Sequence, residues 1–206
     1  MLEKLRKAMK TADIDMLLIP SADPHGSEYP EEYFKARKHF SGFTGSAGTL
    51  LIWQGGAGLW TDGRYFIQAA RQLEGSGIDL FKMREPGVPT VDEFIAENIK
   101  GGVLGADLRT ISASEGMELE KGGAILKDCR SLIDGCWEGR PDLSAEPAYV
   151  LPMELAGVSS SDKLGAVRAE MAKCDANACI FTDLADIAWL FNIRGNDVKY
   201  LPVALS

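Results

Sequence analysis

The chain has 206 residues, 46% hydrophobic and 25% charged, with a formal net charge of −8. This is the composition of an ordinary globular protein long enough to bury a sizeable core. The acidic balance argues against nucleic acid or anionic lipid as a partner, since both need clustered Lys and Arg, and no run of about 18 apolar residues is present to span a membrane.

At the N-terminus, Leu2, Leu5, Met9 and Ala12 recur at helical spacing among Lys4, Arg6, Lys7 and Lys10. That predicts an amphipathic helix and not the apolar core of an export signal. Met16 to Ile19, ended by Pro20, is a continuous apolar run and predicts a buried central strand. Ser21 to Pro30 reads as a loop and Glu31 to Phe40 as a second helix. Gly42, Gly45 and Gly48 lead into a strand from Thr49 to Trp53; Gly55-Gly56 marks a hairpin turn and Leu59 to Thr61 returns as a strand. After the turn at Asp62-Gly63, the positions Phe66, Ala69, Ala70 and Leu73 form one helix face, and Ile78 to Met83 reads as a strand. Thr90 with Glu93 and Ser112 with Glu115 are capping-box patterns, with a short buried strand at Val103-Leu104 between their helices. Gly122-Gly123 weakens the second of these helices, and Ser131 to Ile133 reads as the last strand. Strands alternating with helices predict an α/β layered fold, and the hairpin makes its sheet mixed.

From Trp137 to Ser161 the character changes, with Pro141, Pro147 and Pro152 among Ser, Glu and Gly; this reads as a linker. The beginning then repeats. Ser160 or Ser161 can cap a helix whose apolar positions Leu164, Val167, Met171 and Cys174 match Leu2, Leu5, Met9 and Ala12 at an offset of 162. Asp175 falls on Asp13, and Ala178 to Phe181 on the strand Met16 to Ile19. Leu190 to Asn196 aligns with Phe40 to Ser46 at an offset of 150. A repeat of this length is a domain duplication. The predicted organisation is therefore a first domain over 1–137, a linker over 138–161 and the opening of a second copy over 162–206. Because that copy reaches only its early strands by Ser206, the chain reads as a fragment of a longer protein, with an open sheet edge that a second copy, in a homodimer, is able to pair.

The residues offer no constellation for hydrolysis. His25 and His39 are the only histidines and neither sits in an HExxH pattern. There is no GxSxG, P-loop or GxGxxG, and the Gly42, Gly45 and Gly48 spacing is wrong for a phosphate cradle. Cys129, Cys136, Cys174 and Cys179 form no CxxC pair and read as free thiols in a reducing cytoplasm.

Four blocks carry a family resemblance: Ser21 to Tyr29 (SADPHGSEY), Phe40 to Thr49 (FSGFTGSAGT), Leu59 to Ala70 (LWTDGRYFIQAA) and Asp186 to Gly195 (DIAWLFNIRG). In this order they resemble cytosolic-type Xaa-Pro aminopeptidases, over the whole chain. The resemblance implies a three-layer, creatinase-like N-terminal domain with a ribonuclease-H-like sheet, followed by the start of a second. It also implies a third, "pita-bread" domain that holds two divalent metals, usually manganese, through two Asp, one His and two Glu. That domain is not in this sequence, so the chain itself is expected to be inactive and to hold no metal. The implied substrate is a peptide with proline at position 2, processed with the missing catalytic domain as partner.

Within the blocks, Arg64 is the leading substrate-contact candidate. It follows a turn at a strand end, and the family's matching Arg contacts the bound peptide; the alternative is a local ion pair with Asp62 or Glu28. His25 and Asp23 are candidates for the rim of the cleft, against a loop-ordering Asx turn. Trp60 is a candidate wall of a substrate pocket, against the core reading usual for a strand aromatic. Arg194 with Gly195 is expected to fix the matching turn of the second copy, and Trp189 to lie in its core. Two competing functions stay open at this point: a stand-alone binding or assembly module, and the N-terminal part of a prolidase or creatinase relative.

Overall fold

The computed structural model describes residues 1–205; Ser206, the end of the predicted second copy, lies outside them. The opening residues form helix α1, Leu2–Thr11, which buries Leu5 and Met9. Strand β1, Met16–Pro20, follows and is almost wholly buried. It pairs antiparallel with β2, Thr49–Trp53, and parallel with β5, Val103–Ala106. The hairpin joins β2 to β3, Gly56–Thr61, and β3 runs parallel to β4, Asp79–Lys82. Strand β6, Ile125–Asp128, pairs parallel with β5 and closes a six-stranded sheet of order β4-β3-β2-β1-β5-β6.

Side chains alternate across this sheet as the pleat requires. Leu17, Ile19, Leu50, Ile52 and Leu59 face one apolar cluster, which is covered by α1, by α2 (Ala36–Ser41), by α3 (Phe66–Gln72) and by α6 (Arg130–Cys136). Met16, Leu18, Leu51, Trp60 and Leu104 face the other, beneath α4 (Val91–Ile99) and α5 (Ala113–Lys121). The result is the mixed three-layer α/β architecture expected. Both capping boxes form: the Thr90 and Ser112 hydroxyls accept from the Glu93 and Glu115 amides, and each glutamate bonds back to its cap.

Some local expectations need correction. Ser131 to Ile133 is not a strand but the middle of α6, where Ile133 and Cys136 are the buried positions. An apolar run this short does not distinguish strand from helix. The last strand is instead β6, an edge strand whose Ile125 is 58% exposed, so its pattern lacks a buried run. Gly122 does not interrupt α5; it caps it, its amide reaching the Glu118 carbonyl. The span Glu31 to Phe40 breaks into a 3-10 turn over Glu32–Phe34 and then α2, because the Glu31 carboxylate caps the Tyr33 amide.

After Trp137 the chain is irregular until β7, Tyr149–Val150, the short helix α7, Met153–Ala156, and α8, Ser160–Lys173. The cap of α8 is Ser159, one residue before the expected serines, accepting from Asp162. Helix α9, Leu184–Phe191, and strand β8, Ile193–Arg194, follow, and β8 pairs antiparallel with β7. The Arg194 guanidinium donates to the Ala188 and Ile193 carbonyls, fixing this turn. Trp189 is not core but 49% exposed, because α9 buries its Leu184, Ala188 and Leu190 side instead. Ala178 to Phe181 is not a strand and is unpaired among the described residues, and Ile180 is 86% exposed.

The two segments aligned in the sequence share backbone detail. Ala12 after α1 and Cys174 after α8 have φ/ψ of −97/7° and −95/6°. The next residues, Asp13 and Asp175, both turn left-handed at φ 52° and 53°. Gly42 after α2 and Asn192 after α9 likewise both end their helices left-handed, at φ 73° and 51°.

Candidate functional site: a cleft at the carboxyl ends of the strands

Strands β1, β3, β5 and β6 point the same way, so their carboxyl ends share one edge of the sheet. In open α/β sheets ligands bind in the crevice outside those ends. Here that crevice is a cleft of about 580 Å³ whose lining includes Asp23, Glu28, Ser46, Arg64 and Arg109.

Arg64 is held by its own turn. Asp62 Oδ1 accepts the Arg64 backbone amide at 3.0 Å and Nε at 3.0 Å, and Oδ2 accepts Nη2 at 2.8 Å. The guanidinium lies over the Tyr65 ring at 5.2 Å from its centroid. The Arg64 bond holds the Asp62 carboxyl below the usual carboxylate range, and Asp62 raises the arginine in return. The ion pair therefore forms, yet Nη1 has no hydrogen-bond partner among the described residues, and the side chain is 63% exposed.

The wall beside Arg64 is fixed from behind by Arg37. This buried guanidinium donates to Ser21 Oγ at 2.8 Å and to the carbonyls of Phe43 and Gly45 at 2.6 and 2.5 Å. Burial pushes its pKa down to about 10, so it remains charged at neutral pH. A Cβ on Gly45 would collide with the Phe43 and Tyr65 rings, so glycine is required there. Ser46 next to it shares a 2.9 Å hydrogen bond with the Tyr65 hydroxyl. Arg37 thus ties the loop after β1, the Gly42 to Gly48 loop and the residue beside Arg64 into one unit. Nothing in the local sequence pattern singled it out; its only signal is a cation on the apolar face of a short helix.

Asp23 is 2% exposed. Its Oδ1 accepts the amides of His25 and Ser27, each at 2.9 Å, which is the Asx-type ordering expected of this loop. Its Oδ2 is buried with no partner. His25 Nδ1 lies 3.0 Å from the Thr182 carbonyl and bridges the loop to the segment before α9. Trp60 is fully buried, stacked on Phe81 at 3.9 Å with its Nε1 donating to the Pro89 carbonyl; it stands in the core, on the face covered by α4 and α5. The structure thus brings Arg64 and Asp23 to the cleft and keeps Trp60 out of it.

Arg109 went unnoticed in the sequence. Asp107 Oδ1 accepts its amide at 3.1 Å and Nε at 3.0 Å, and Oδ2 accepts Nη2 at 2.7 Å. This repeats the Arg64 arrangement almost bond for bond. The available signal was the recurrence of Asp-x-Arg straight after a strand, at 62–64 and 107–109.

Among the described residues no group of three or more His, Cys, Asp or Glu side chains is arranged to hold a metal ion. His39 stacks on Trp137 at 4.5 Å, away from the cleft. The residues present do not fit the two-metal centre implied by the family resemblance.

A layered α/β domain with a polar cleft at its strand ends, followed by the opening of a second copy, defines the class. The sequence profile described as "Creatinase/Prolidase N-terminal domain" matches residues 1–136, and a second profile of the same description matches 139–206. The chain belongs to the creatinase/prolidase N-terminal domain family. It is 39% identical to a probable Xaa-Pro aminopeptidase P of Paracoccidioides brasiliensis over 100% of its length and 34% of that protein's. It is 40% identical to aminopeptidase P1 of Lotus japonicus, over 95% of this chain and 30% of that one. The X-prolyl aminopeptidase of Caenorhabditis elegans, described as a cytosolic enzyme with a di-nuclear active site, superposes with a TM-score of 0.89 at 34% identity, over 100% of this chain and 36% of its own. The chain thus spans about a third of the length of the relatives it matches.

Proposed function

We propose that these residues form the non-catalytic N-terminal region of a Xaa-Pro aminopeptidase, an enzyme that removes the residue preceding a proline at position 2. The observation that carries this is the correspondence, over the whole of this chain, with 36% of the nematode enzyme. The chemistry then belongs to a catalytic domain outside this chain, carrying two divalent metals, with manganese the expected pair. The role here is to wall the substrate cleft, with Arg64 as the peptide contact and Asp23 and His25 ordering the rim. The organisation proposed is a first domain over 1–137, a linker over 138–161 and a second domain opening over 162–206. Cytoplasmic residence fits this reading, as does a structure with no helix long and apolar enough to cross a membrane among the described residues.

A guanidinium with a free Nη1 beside a polar cleft suits a peptide carbonyl or carboxylate. In the full-length protein, Arg64→Ala is expected to lower kcat/KM on Xaa-Pro peptides about tenfold, mainly through KM. Unchanged kinetics would remove Arg64 from the site. Equal or better turnover of Xaa-Pro dipeptides relative to longer peptides would instead favour a prolidase.

A further inference from the structure

An Asp-x-Arg clip follows three strands of the main sheet: Asp62/Arg64 after β3, Asp107/Arg109 after β5, and Asp128/Arg130 at the end of β6. In the first two, the carboxylate takes the arginine's amide, Nε and Nη2. In both, Nη1 is left without a hydrogen-bond partner among the described residues. Only these two line the cleft; Arg130 does not. A clip is thus a general device for closing a strand end, and two of its copies are turned to one cavity.

The strand order puts these two clips on opposite sides. β3 and β5 are separated by β2 and β1, three steps of about 4.8 Å, so the two strand ends stand about 14 Å apart. About four residues of extended chain cover that distance. In the same cleft sits the unpartnered Oδ2 of Asp23, a buried acceptor with no donor. Guanidinium groups at two ends, with an unpartnered acceptor buried behind the lining, match a short peptide, which offers carbonyls and a carboxylate.

The two arginines differ in environment. The Arg109 side chain is 29% exposed against 63% for Arg64, and it lies over the rings of Tyr33 and Phe34 at 5.5 and 5.3 Å. A guanidinium with less water around it binds a full negative charge more strongly. Asp107 takes its Nε and Nη2, and Nη2 also reaches the Tyr33 hydroxyl at 3.4 Å, while Nη1 has no partner among the described residues, so through Nη1 it is able to take a second carboxylate.

We propose that Arg109 is a second peptide-binding residue, across the cleft from Arg64, and that it takes the C-terminal carboxylate of a short peptide. The inference rests on the reading of this cleft as a peptide site. It makes the domain a reader of where a short peptide ends as well as a wall.

The test is a titration of the chain with the tetrapeptide Ala-Pro-Ala-Ala as free acid and as C-terminal amide, following the arginine Nε–H signals by NMR. The wild type is expected to bind the acid about tenfold more tightly than the amide. Arg109→Gln should abolish that preference and leave amide affinity unchanged. Arg109→Lys, which keeps the charge beside Asp107 should the glutamine variant unfold, should retain part of it. Arg64→Gln should weaken acid and amide alike, and Arg130→Gln, a clip outside the cleft, should change neither. If the peptide shifts Arg64 but acid and amide bind equally, or if Arg109→Gln keeps the preference, the inference is overturned and the peptide reading survives. If neither arginine responds at millimolar peptide, both are overturned.

Discussion

Replacing Arg37 by Met puts a number on the clamp behind the cleft. The guanidinium makes three hydrogen bonds, to Ser21 Oγ and to the Phe43 and Gly45 carbonyls. Bonds of a charged group contribute about 1.5–3 kcal/mol each, so the three together give about 4–9 kcal/mol. Against this stands the penalty of burying a cation with no carboxylate beside it. A pKa pushed down to about 10 corresponds to a cost of about 3 kcal/mol on the charged form. Subtracting it in full, the case least favourable to the clamp, leaves about 2–6 kcal/mol. That is a large share of the roughly 5–15 kcal/mol by which a domain is stable. Methionine fills much of the volume but leaves the two carbonyls without donors. Urea unfolding followed by tryptophan fluorescence should therefore show Arg37→Met shifted to a midpoint about 1–3 M lower. Arg37→Lys should fall between, since an ammonium lacks the planar fork that reaches two carbonyls at once. A methionine variant as stable as the wild type would refute this reasoning; the burial penalty would then outweigh the bonds, as it does in some buried ion pairs.

Glu31 supplies a pH dependence of known sign. It is 7% exposed, and burial raises its pKa, with Glu32 and Asp197 adding to the rise and the Tyr33 amide opposing it. A carboxyl raised in the folded state favours folding below its ordinary value and loses that contribution as pH climbs through the raised one. Glu31→Gln keeps an acceptor for Tyr33, so it should melt higher than the wild type at pH 7 and match it below about pH 4; a lower melting point at pH 7 would contradict the burial account. In hydrogen exchange, the amides of Leu17 to Ile19 should be among the slowest and those of Cys179 to Phe181 among the fastest, because the latter have no backbone partner among the described residues. Comparable protection at the two segments would show that Ala178 to Phe181 pairs in solution.

What was legible in the sequence is what short-range chemistry decides. The capping boxes at Thr90 and Ser112 are side chains answering amides three residues away, and both formed as read. The central strand was legible because Met16 to Ile19 is apolar on both faces, which only an interior strand can satisfy. The misreadings fall where a neighbour decides. β6 is an edge strand whose four residues are mostly exposed, so hydrophobic pattern carries no trace of it; the register with Val103 to Ala106 makes it a strand. Ser131 to Ile133 became helix because α6 lies against α1, where Lys4 Nζ reaches the Cys136 carbonyl. At the site, Arg64 was legible through its motif, whereas Arg37 and Arg109 were not. Their importance comes from loops that meet only after the sheet has formed.

The two copies separate what a segment can do from what it does. At the helix stops, Ala12-Asp13 and Cys174-Asp175, the two copies agree to within a few degrees, because a helix and its left-handed stop are settled by bonds among residues four or five apart. The amide of Ile14 reaches the Met9 carbonyl at 2.9 Å, and that of Ala176 reaches Met171 at the same distance. The next segment has the same apolar pattern and the opposite outcome. Met16 to Ile19 is a strand because β2 and β5 bond its two edges; Ala178 to Phe181 has neither edge bonded among the described residues, and Ala178 to Ile180 are exposed. The groove beside it, with Val167, Met171, Cys174 and Trp189 in its lining, is the counterpart of the α1 surface that α6 and β2 cover in the first copy. Helix identity is thus local and strand identity is granted by partners. Among the described residues, the cleft is built in the first copy, where β1, β3 and β5 bring their carboxyl ends to one edge.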